Sequence, residues 1–159
     1  MDISIRPYAP EDREAVIALS LRAWEPVHAS LARVLGARIY DRTVGDWRHS
    51  QSRDVQADLD AEGVRVWVAA TDRVAGFASV KLNREERTGE VHMLAVDPDQ
   101  QKRGVGSRLT SFAEEYMRAE GMAVAMIETG GDPGHAAARS TYERAGFTQL
   151  PIARYFKAL

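Results

Sequence analysis

The sequence predicts one α+β domain over residues 1–159. Residues 65–70 and 74–82 are strand-like runs on either side of a short Thr-Asp-Arg turn, which predicts an antiparallel hairpin. Later in the chain, segments with strand character and segments with helical periodicity alternate, which is typical of a strand–helix–strand–helix unit. A chain of 159 residues is also long enough to bury a substantial core.

The composition is that of an ordinary globular protein, with 45% hydrophobic and 28% charged residues. A net charge of −2 provides no general attraction to nucleic acid. No apolar run approaches the roughly 20 residues that cross a membrane, and the N-terminus lacks a signal-peptide pattern. We therefore expect a cytoplasmic protein without nucleic-acid or membrane partners. The lack of cysteine excludes disulfides and thiolate nucleophiles. The histidines show no paired spacing such as His-x-x-x-His, so we expect no catalytic metal.

The N-terminal half is predicted to begin with a short strand around Ile3 and Ile5, where apolar and polar residues alternate. A helix follows from Pro10, because proline and acidic residues favour a helical first turn. A second helical segment is predicted to start at Pro26. Residues 36–62 show only a weak helical spacing.

The C-terminal half is predicted to begin with a strand at residues 90–96, which leads into a glycine-bearing loop. The helix after this loop ends at Gly121. The remaining segments are predicted as a buried strand at 123–128, a helix at 135–144 and extended chain at 147–156.

The glycine-bearing loop has the features of an anion site. It reads Gln-Lys-Arg-Gly-Val-Gly-Ser over residues 101–107. A helix start leaves backbone N–H groups unpaired at its positive end, and glycines let a ligand approach that backbone closely. Lys102, Arg103 and Arg108 add positive charge, so the loop predicts a phosphate or pyrophosphate ligand. The segment is neither a P-loop nor the dinucleotide fingerprint, which needs glycine where this chain has Leu109.

Two segments together resemble the GNAT N-acetyltransferase superfamily. Gln101-Lys102-Arg103-Gly104-Val105-Gly106 is similar to its Arg/Gln-x-x-Gly-x-Gly/Ala loop, and residues 138–147 are similar to its Ala-x-x-x-Tyr-x-x-x-Gly-Phe helix. The resemblance implies an α/β/α sandwich: a mixed, mostly antiparallel sheet of roughly six to seven strands with helices on both faces. It also implies that the strands at 90–96 and 123–128 splay apart to form a cofactor gap.

The resemblance further implies that acetyl-CoA is the cosubstrate. Backbone groups near the end of the strand would bind the pantetheine arm, at Leu94, Ala95 and Val96. The loop backbone would hold the pyrophosphate, at Gln101, Lys102, Arg103, Gly104, Val105, Gly106 and Ser107. Ala138 lies on the motif helix, and His135 stands where the family usually has an asparagine that binds the cofactor arm. A helix-entry residue that faces solvent is the alternative interpretation of His135.

The chemistry implied is direct attack of a primary amine on the thioester through a tetrahedral intermediate. Tyr142 matches the family's general acid, and its hydroxyl can donate a hydrogen bond to the departing thiolate. A tyrosine that only packs its helix is the alternative. For the base, strand alternation is expected to place Glu90 and His92 on one face together with Leu94 and Val96. Glu90 is slightly favoured as the base, acting through water, although either residue is alternatively a surface or salt-bridged group.

The acceptor is expected to be a small primary amine or a peptide N-terminus. Trp24 and Trp47 are candidates for pocket walls or core residues, and Glu25, Asp41 and Asp46 for a cation-attracting rim or solvated surface. Two other functions stay open: an acyl-CoA-binding sensor without turnover, and a nucleotide-binding phosphotransferase. Homodimers are common in the family, but no feature of this sequence locates an interface.

Overall fold

The computed structural model describes residues 2–159, and its centre is one five-stranded sheet in the order β1-β2-β3-β4-β5. The strands are β1 (Ser4–Pro7), β2 (Val64–Ala70), β3 (Val74–Asn83), β4 (Thr88–Val96) and β5 (Val124–Ile127). The first four pair antiparallel, whereas β5 pairs parallel to β4. The predicted α+β class and the mixed, mostly antiparallel sheet are therefore confirmed.

Residues 2–159 form five α-helices. They are α1 (Arg13–Leu35), α2 (Ala37–Thr43), α3 (Trp47–Asp60), α4 (Val105–Ala119) and α5 (Ala136–Arg144). Short 3-10 turns precede α1, α4 and α5. Among residues 2–159, no helix is both long and apolar enough to cross a lipid bilayer.

The helices lie on both faces of the sheet, as predicted. On one face, α1 and α3 contribute Val16, Leu19 and Val55 to a core with Val68 and Phe77 of the sheet. On the other face, α4 is strongly amphipathic and packs against neighbouring strands through Leu109, Ala113 and Met117. Burial on two faces fixes the register of the central strands, since a shift of one residue would exchange their faces.

Helix α1 is longer than the sequence predicts. The segment expected to start at Pro26 is part of one continuous helix that contains this proline. Proline removes a single helical hydrogen bond, and the burial of Val16 and Leu19 on the sheet supports the helix as a whole.

The C-terminal end of the sheet differs from the prediction in two respects. The expected buried strand at 123–128 is β5, which lies at the edge of the sheet, and its residues Val124 and Met126 are 57% and 43% exposed rather than buried. Residues 145–159 add no strand to it, so the sheet has five strands rather than six to seven. Pro151 has no N–H group to donate to a ladder, and the apolar side chains of Leu150, Ile152 and Tyr155 are exposed rather than packed.

Candidate acetyl-CoA site

The loop between β4 and α4 presents free backbone donors. Gly104, the residue before α4, has a φ of 83°, which glycine adopts without strain. The N–H groups of the first turn of this helix, at Val105, Gly106 and Ser107, have no intrahelical partner. No side chain caps the helix in their place. The helix dipole reinforces their positive end. This geometry fits the predicted pyrophosphate.

The charges around the loop also favour an anion. Lys102, Arg103 and Arg108 are exposed, and none of them forms an ion pair within residues 2–159. The neighbouring acids are paired with arginines: the two terminal nitrogens of Arg22 of α1 lie 3.0 Å from Asp97 Oδ2 and 2.9 Å from Asp99 Oδ2, and Arg73 lies 3.6 Å from Asp99 Oδ2. Because Asp97 and Asp99 are paired, the basic side chains next to them remain available to a ligand.

The pairing of β4 with β5 ends before this loop. They pair only from Thr88 to Val91 on β4, opposite Val124–Ile127 on β5. β4 continues to Val96, beyond the end of β5, so the outer edge of β4 has no strand partner at Leu94, Ala95 and Val96. Gln101 Nε2 donates to the Val96 carbonyl at 3.3 Å and holds the loop against the end of the strand. This unpaired edge contains the three residues that are predicted to contact a pantetheine arm.

A β-bulge lies where β4 leaves β5. Ser79 of β3 is opposite Met93, and the next residue, Val80, is opposite Val91. His92 is therefore the extra residue of β4 and lacks a partner on β3. Bulges re-aim side chains and are common beside active sites.

The bulge overturns the predicted side-chain pattern of β4. Leu94 and Val96 pack on the α4 face, as Val91 does, whereas His92 contacts Asp58 of α3 on the opposite face. Glu90 alternates with Val91 and so also faces α3. The expectation that all four predicted residues share one face is wrong, because the extra residue shifts the alternation. Glu90 and His92 do share a face.

Tyr142 lies one turn after Ala138 on α5, and both are half-buried. Its ring contacts Phe147 edge-on, with centroids 6.2 Å apart. Burial raises the pKa of Tyr142 to about 12, and no hydrogen bond within residues 2–159 offsets this effect. The phenol therefore stays protonated at neutral pH and is available as a donor.

His135 is the residue before α5 and is held in place rather than solvent-facing. Its Nδ1 bonds to the carboxylate of Asp132, and only 18% of its side chain is exposed. Asp132 in turn accepts a hydrogen bond from Ser30 of α1 at 2.7 Å, and Ser30 also accepts from the Gly134 N–H. Burial raises the pKa of Asp132, but the hydrogen bonds from Ser30 and His135 outweigh burial and lower it. The turn before α5 is thus fixed to α1.

An aromatic cluster joins α1, α2 and α3. His28 stacks on Trp47 at 4.4 Å and lies 3.1 Å from the Tyr40 hydroxyl. Burial, together with the neighbouring His135, lowers the pKa of His28, so the ring is neutral at neutral pH. Trp24, by contrast, packs against the core.

The acids near this cluster have different partners. Asp46 caps α3 through the His49 N–H, and Glu25 pairs with Arg48 at 3.3 Å. Residues 2–159 hold no cluster of three or more His, Asp or Glu side chains that could bind a metal ion. Asp41 forms no ion pair among these described residues.

Three residues near the site were missed by sequence reasoning. Asp58 and Ser79 contact His92 or its neighbour, and Ser30 contacts the turn before α5. Asp58 lies in the region with weak helical spacing, and the other two are single hydroxyls on a helix and a strand. No local pattern marks any of them.

Comparison with known proteins agrees with this geometry. Residues 32–147 match the family model described as the acetyltransferase (GNAT) family. The chain belongs to the GNAT acetyltransferase family. It is 31% identical over 158 residues to a mycothiol acetyltransferase of Rhodococcus jostii, covering 94% of this chain and 47% of that protein. It is also 37% identical over 101 residues to a mycothiol acetyltransferase of Streptomyces griseus, covering 58% of this chain and 32% of that protein. This GNAT chain thus spans less than half the length of these relatives.

Solved structures show the same fold. The ribosomal-protein-S18-alanine N-acetyltransferase of Escherichia coli has a TM-score of 0.68 and 19% identity, covering 94% of this chain and 80% of that one. The PaiA N-acetyltransferase of Thermoplasma acidophilum, in complex with coenzyme A, also has a TM-score of 0.68 and 19% identity, covering 93% and 91%. The predicted membership of the GNAT superfamily is confirmed.

Proposed function

We propose that this GNAT domain is an acetyl-CoA-dependent N-acetyltransferase acting on a primary amine of a small molecule or peptide. The observation that carries the proposal is the uncapped first turn of α4, with Gly104 in the left-handed region, beside the unpaired edge of β4. Together they offer donors for a pyrophosphate and an open strand edge for the adjoining arm. Family membership supports the same donor.

We assign the contacts with acetyl-CoA as follows. Backbone N–H groups from Gln101 to Ser107 bind the pyrophosphate, with Lys102 and Arg103 nearby as counter-charges. The free edge at Leu94, Ala95 and Val96 binds the pantetheine arm. His135 is held by Asp132 through Nδ1, which leaves Nε2 for the arm, and Ala138 lies on the same helix.

Acetyl-CoA, when bound, supplies the acetyl thioester; the chain must supply proton transfers. Tyr142 keeps its proton at neutral pH and donates a hydrogen bond to the leaving sulfur. The amine must lose a proton before it can attack, since alkyl amines are mostly protonated at neutral pH. Glu90 and His92 are the candidate bases, and both face α3 at the point where β4 leaves β5.

The acceptor class is supported by what the relatives are called. Some relatives are named mycothiol acetyltransferases, and one structural neighbour is named a ribosomal-protein-S18-alanine N-acetyltransferase. We propose that the acceptor approaches from α1–α3, where His28, Tyr40 and Trp47 form a half-buried aromatic cluster. A homodimer remains a prediction.

Calorimetry and turnover test this proposal. Acetyl-CoA is expected to bind and ATP is not; binding of ATP alone would favour a phosphotransferase instead. Release of free CoA in the presence of a panel of amines would then establish transfer. Acetyl-CoA binding without amine-dependent CoA release would favour an acyl-CoA sensor.

A further inference from the structure

A buried carboxylate lies behind His92. The side chain of Asp58 is 5% exposed, and its Oδ2 lies 2.6 Å from His92 Nδ1 and 2.6 Å from Ser79 Oγ. Lys81 Nζ is 4.0 Å from the other oxygen, Oδ1. A buried carboxylate is rare unless it is paired and hydrogen-bonded. Asp58 of α3 has such partners, namely Ser79 and Lys81 on β3 and His92 on β4.

The hydrogen-bond partners determine which group donates a proton in each contact. Ser79 Oγ accepts from the Met93 N–H at 3.0 Å and donates its own hydrogen to Asp58. The carboxylate oxygen is an acceptor, so His92 must present a protonated Nδ1 to it. In the neutral ring the lone pair then resides on Nε2. Asp58 thus selects one tautomer of His92.

His92 lies next to the unpaired edge of β4. His92 is the extra residue of the β4 bulge and comes directly after Val91, the last β4 residue paired with β5. Its side chain is 32% exposed, although Nδ1 is held by a buried group. The ring is therefore held at Nδ1 by Asp58, while about a third of its side chain remains exposed.

We propose that Asp58 and Ser79 are positioning residues that hold His92 with its Nε2 lone pair at the opening between β4 and β5, where it takes a proton from the acceptor's ammonium group. The inference rests on the proposed acetyltransferase function. One N–H bond of the ammonium breaks and an Nε2–H bond forms, which frees the nitrogen lone pair to attack the acetyl carbonyl. The imidazolium lies against the Asp58 carboxylate until it releases the proton to solvent.

The other charged groups on this face are compatible with that role. Lys81 of β3 approaches Asp58 on the side away from His92, and Glu90 of β4 is opposite Lys81 in the sheet. Glu90 makes no ion pair within residues 2–159, so it neither competes for His92 nor holds it.

Nitrogen NMR of the protein with labelled histidine tests the tautomer directly. The His92 signals are assigned by their loss in His92→Gln. The wild-type protein is expected to show a protonated Nδ1 and an unprotonated Nε2 in the neutral ring, and Asp58→Asn is expected to lose this preference. A wild-type ring protonated on Nε2 would overturn the inference without any activity measurement.

Kinetics test the consequence for transfer. Asp58→Asn is expected to lower kcat about 10- to 100-fold, and His92→Gln about 100-fold, with the KM for acetyl-CoA nearly unchanged. Asp60→Asn is the matched control, because Asp60 lies on the same helix but is exposed and paired with Arg13. Unchanged kcat in Asp58→Asn, with acetyl-CoA still turned over, would refute the positioning role alone. Failure of the wild-type protein to bind acetyl-CoA would instead refute the proposed function.

Discussion

Replacing Gly104 with alanine isolates the role of the loop backbone. Gly104 has a φ of 83°, and a Cβ built there meets nothing within 4 Å. The cost of Gly104→Ala is therefore backbone strain alone, about 1–2 kcal/mol for a non-glycine residue in the left-handed region. The free protein can relieve this strain by moving the loop. Ligand binding must then return the loop to its strained conformation, so the cost is subtracted from the binding free energy.

The expected loss of affinity follows from that strain. A cost of about 1–2 kcal/mol corresponds to a roughly 5- to 30-fold increase in the Kd for acetyl-CoA. Isothermal titration calorimetry measures the Kd. Thermal denaturation of the free protein checks that the loop has relaxed, because the Tm is then nearly unchanged, whereas retained strain would lower it by about 2–8 °C for a domain of this size.

Two other glycines provide matched controls. Gly121, just after α4, has a φ of 84° and equally open space, so Gly121→Ala should introduce the same kind of backbone strain but keep its acetyl-CoA affinity. Gly63 has open space without a positive φ, so Gly63→Ala should change neither property. Equal acetyl-CoA affinities for Gly104→Ala and Gly121→Ala would refute the assignment of the loop as the pyrophosphate site.

Three further predictions concern other parts of the chain. Tyr142→Phe should lower kcat about 100-fold in a CoA-release assay with little change in acetyl-CoA affinity, and an unchanged kcat would remove its catalytic role. Arg22→Met should weaken acetyl-CoA binding about two- to five-fold in calorimetry by releasing the acids beside the loop, whereas Arg13→Met should not. Hydrogen bonds from Arg6 lower the pKa of Asp12, so its contribution is present above about pH 4 and is lost as pH falls through the lowered value. In urea denaturation Asp12→Asn should cost about 1–2 kcal/mol near neutral pH and less at pH 2, and a constant difference would contradict this.

The donor side of the site could be predicted from the sequence because it depends on local rules. One short segment contains all of the relevant features. They are the unpaired N–H groups of a helix start, the conformational freedom of Gly104 and the charges of Lys102 and Arg103. The same holds for the amphipathic face of α4. The structure places Gly104 directly before the helix and leaves Lys102 and Arg103 exposed, and their binding of a pyrophosphate stays a prediction.

The facing of β4 could not be predicted, because it depends on contacts distant in sequence. Alternation is a reliable guide only in a regular strand, and the bulge at His92 is secured by Ser79 of β3 through the Met93 N–H. Asp58 reaches His92 from a helix that begins far earlier in the chain. Such tertiary hydrogen bonds have no local sequence pattern.

The strand count and α1 differ from the prediction for a similar reason. Pro26 predicts a helix boundary locally, but packing of α1 on the sheet supports one continuous helix. Residues 147–156 are predicted as extended chain, yet a strand forms only where a neighbour accepts its hydrogen bonds, and no strand pairs with them here.

Amine-dependent release of CoA is the most direct test of the central claim. Purified protein is incubated with acetyl-CoA and a panel of small amines and peptides, and free thiol and acetylated product are measured together. The account predicts that at least one amine releases CoA in equal amount to an N-acetylated product, and that Tyr142→Phe reduces both. The account would be contradicted if acetyl-CoA binds tightly but no amine gives an acetylated product. In that case thiol release would be equally slow with and without amine.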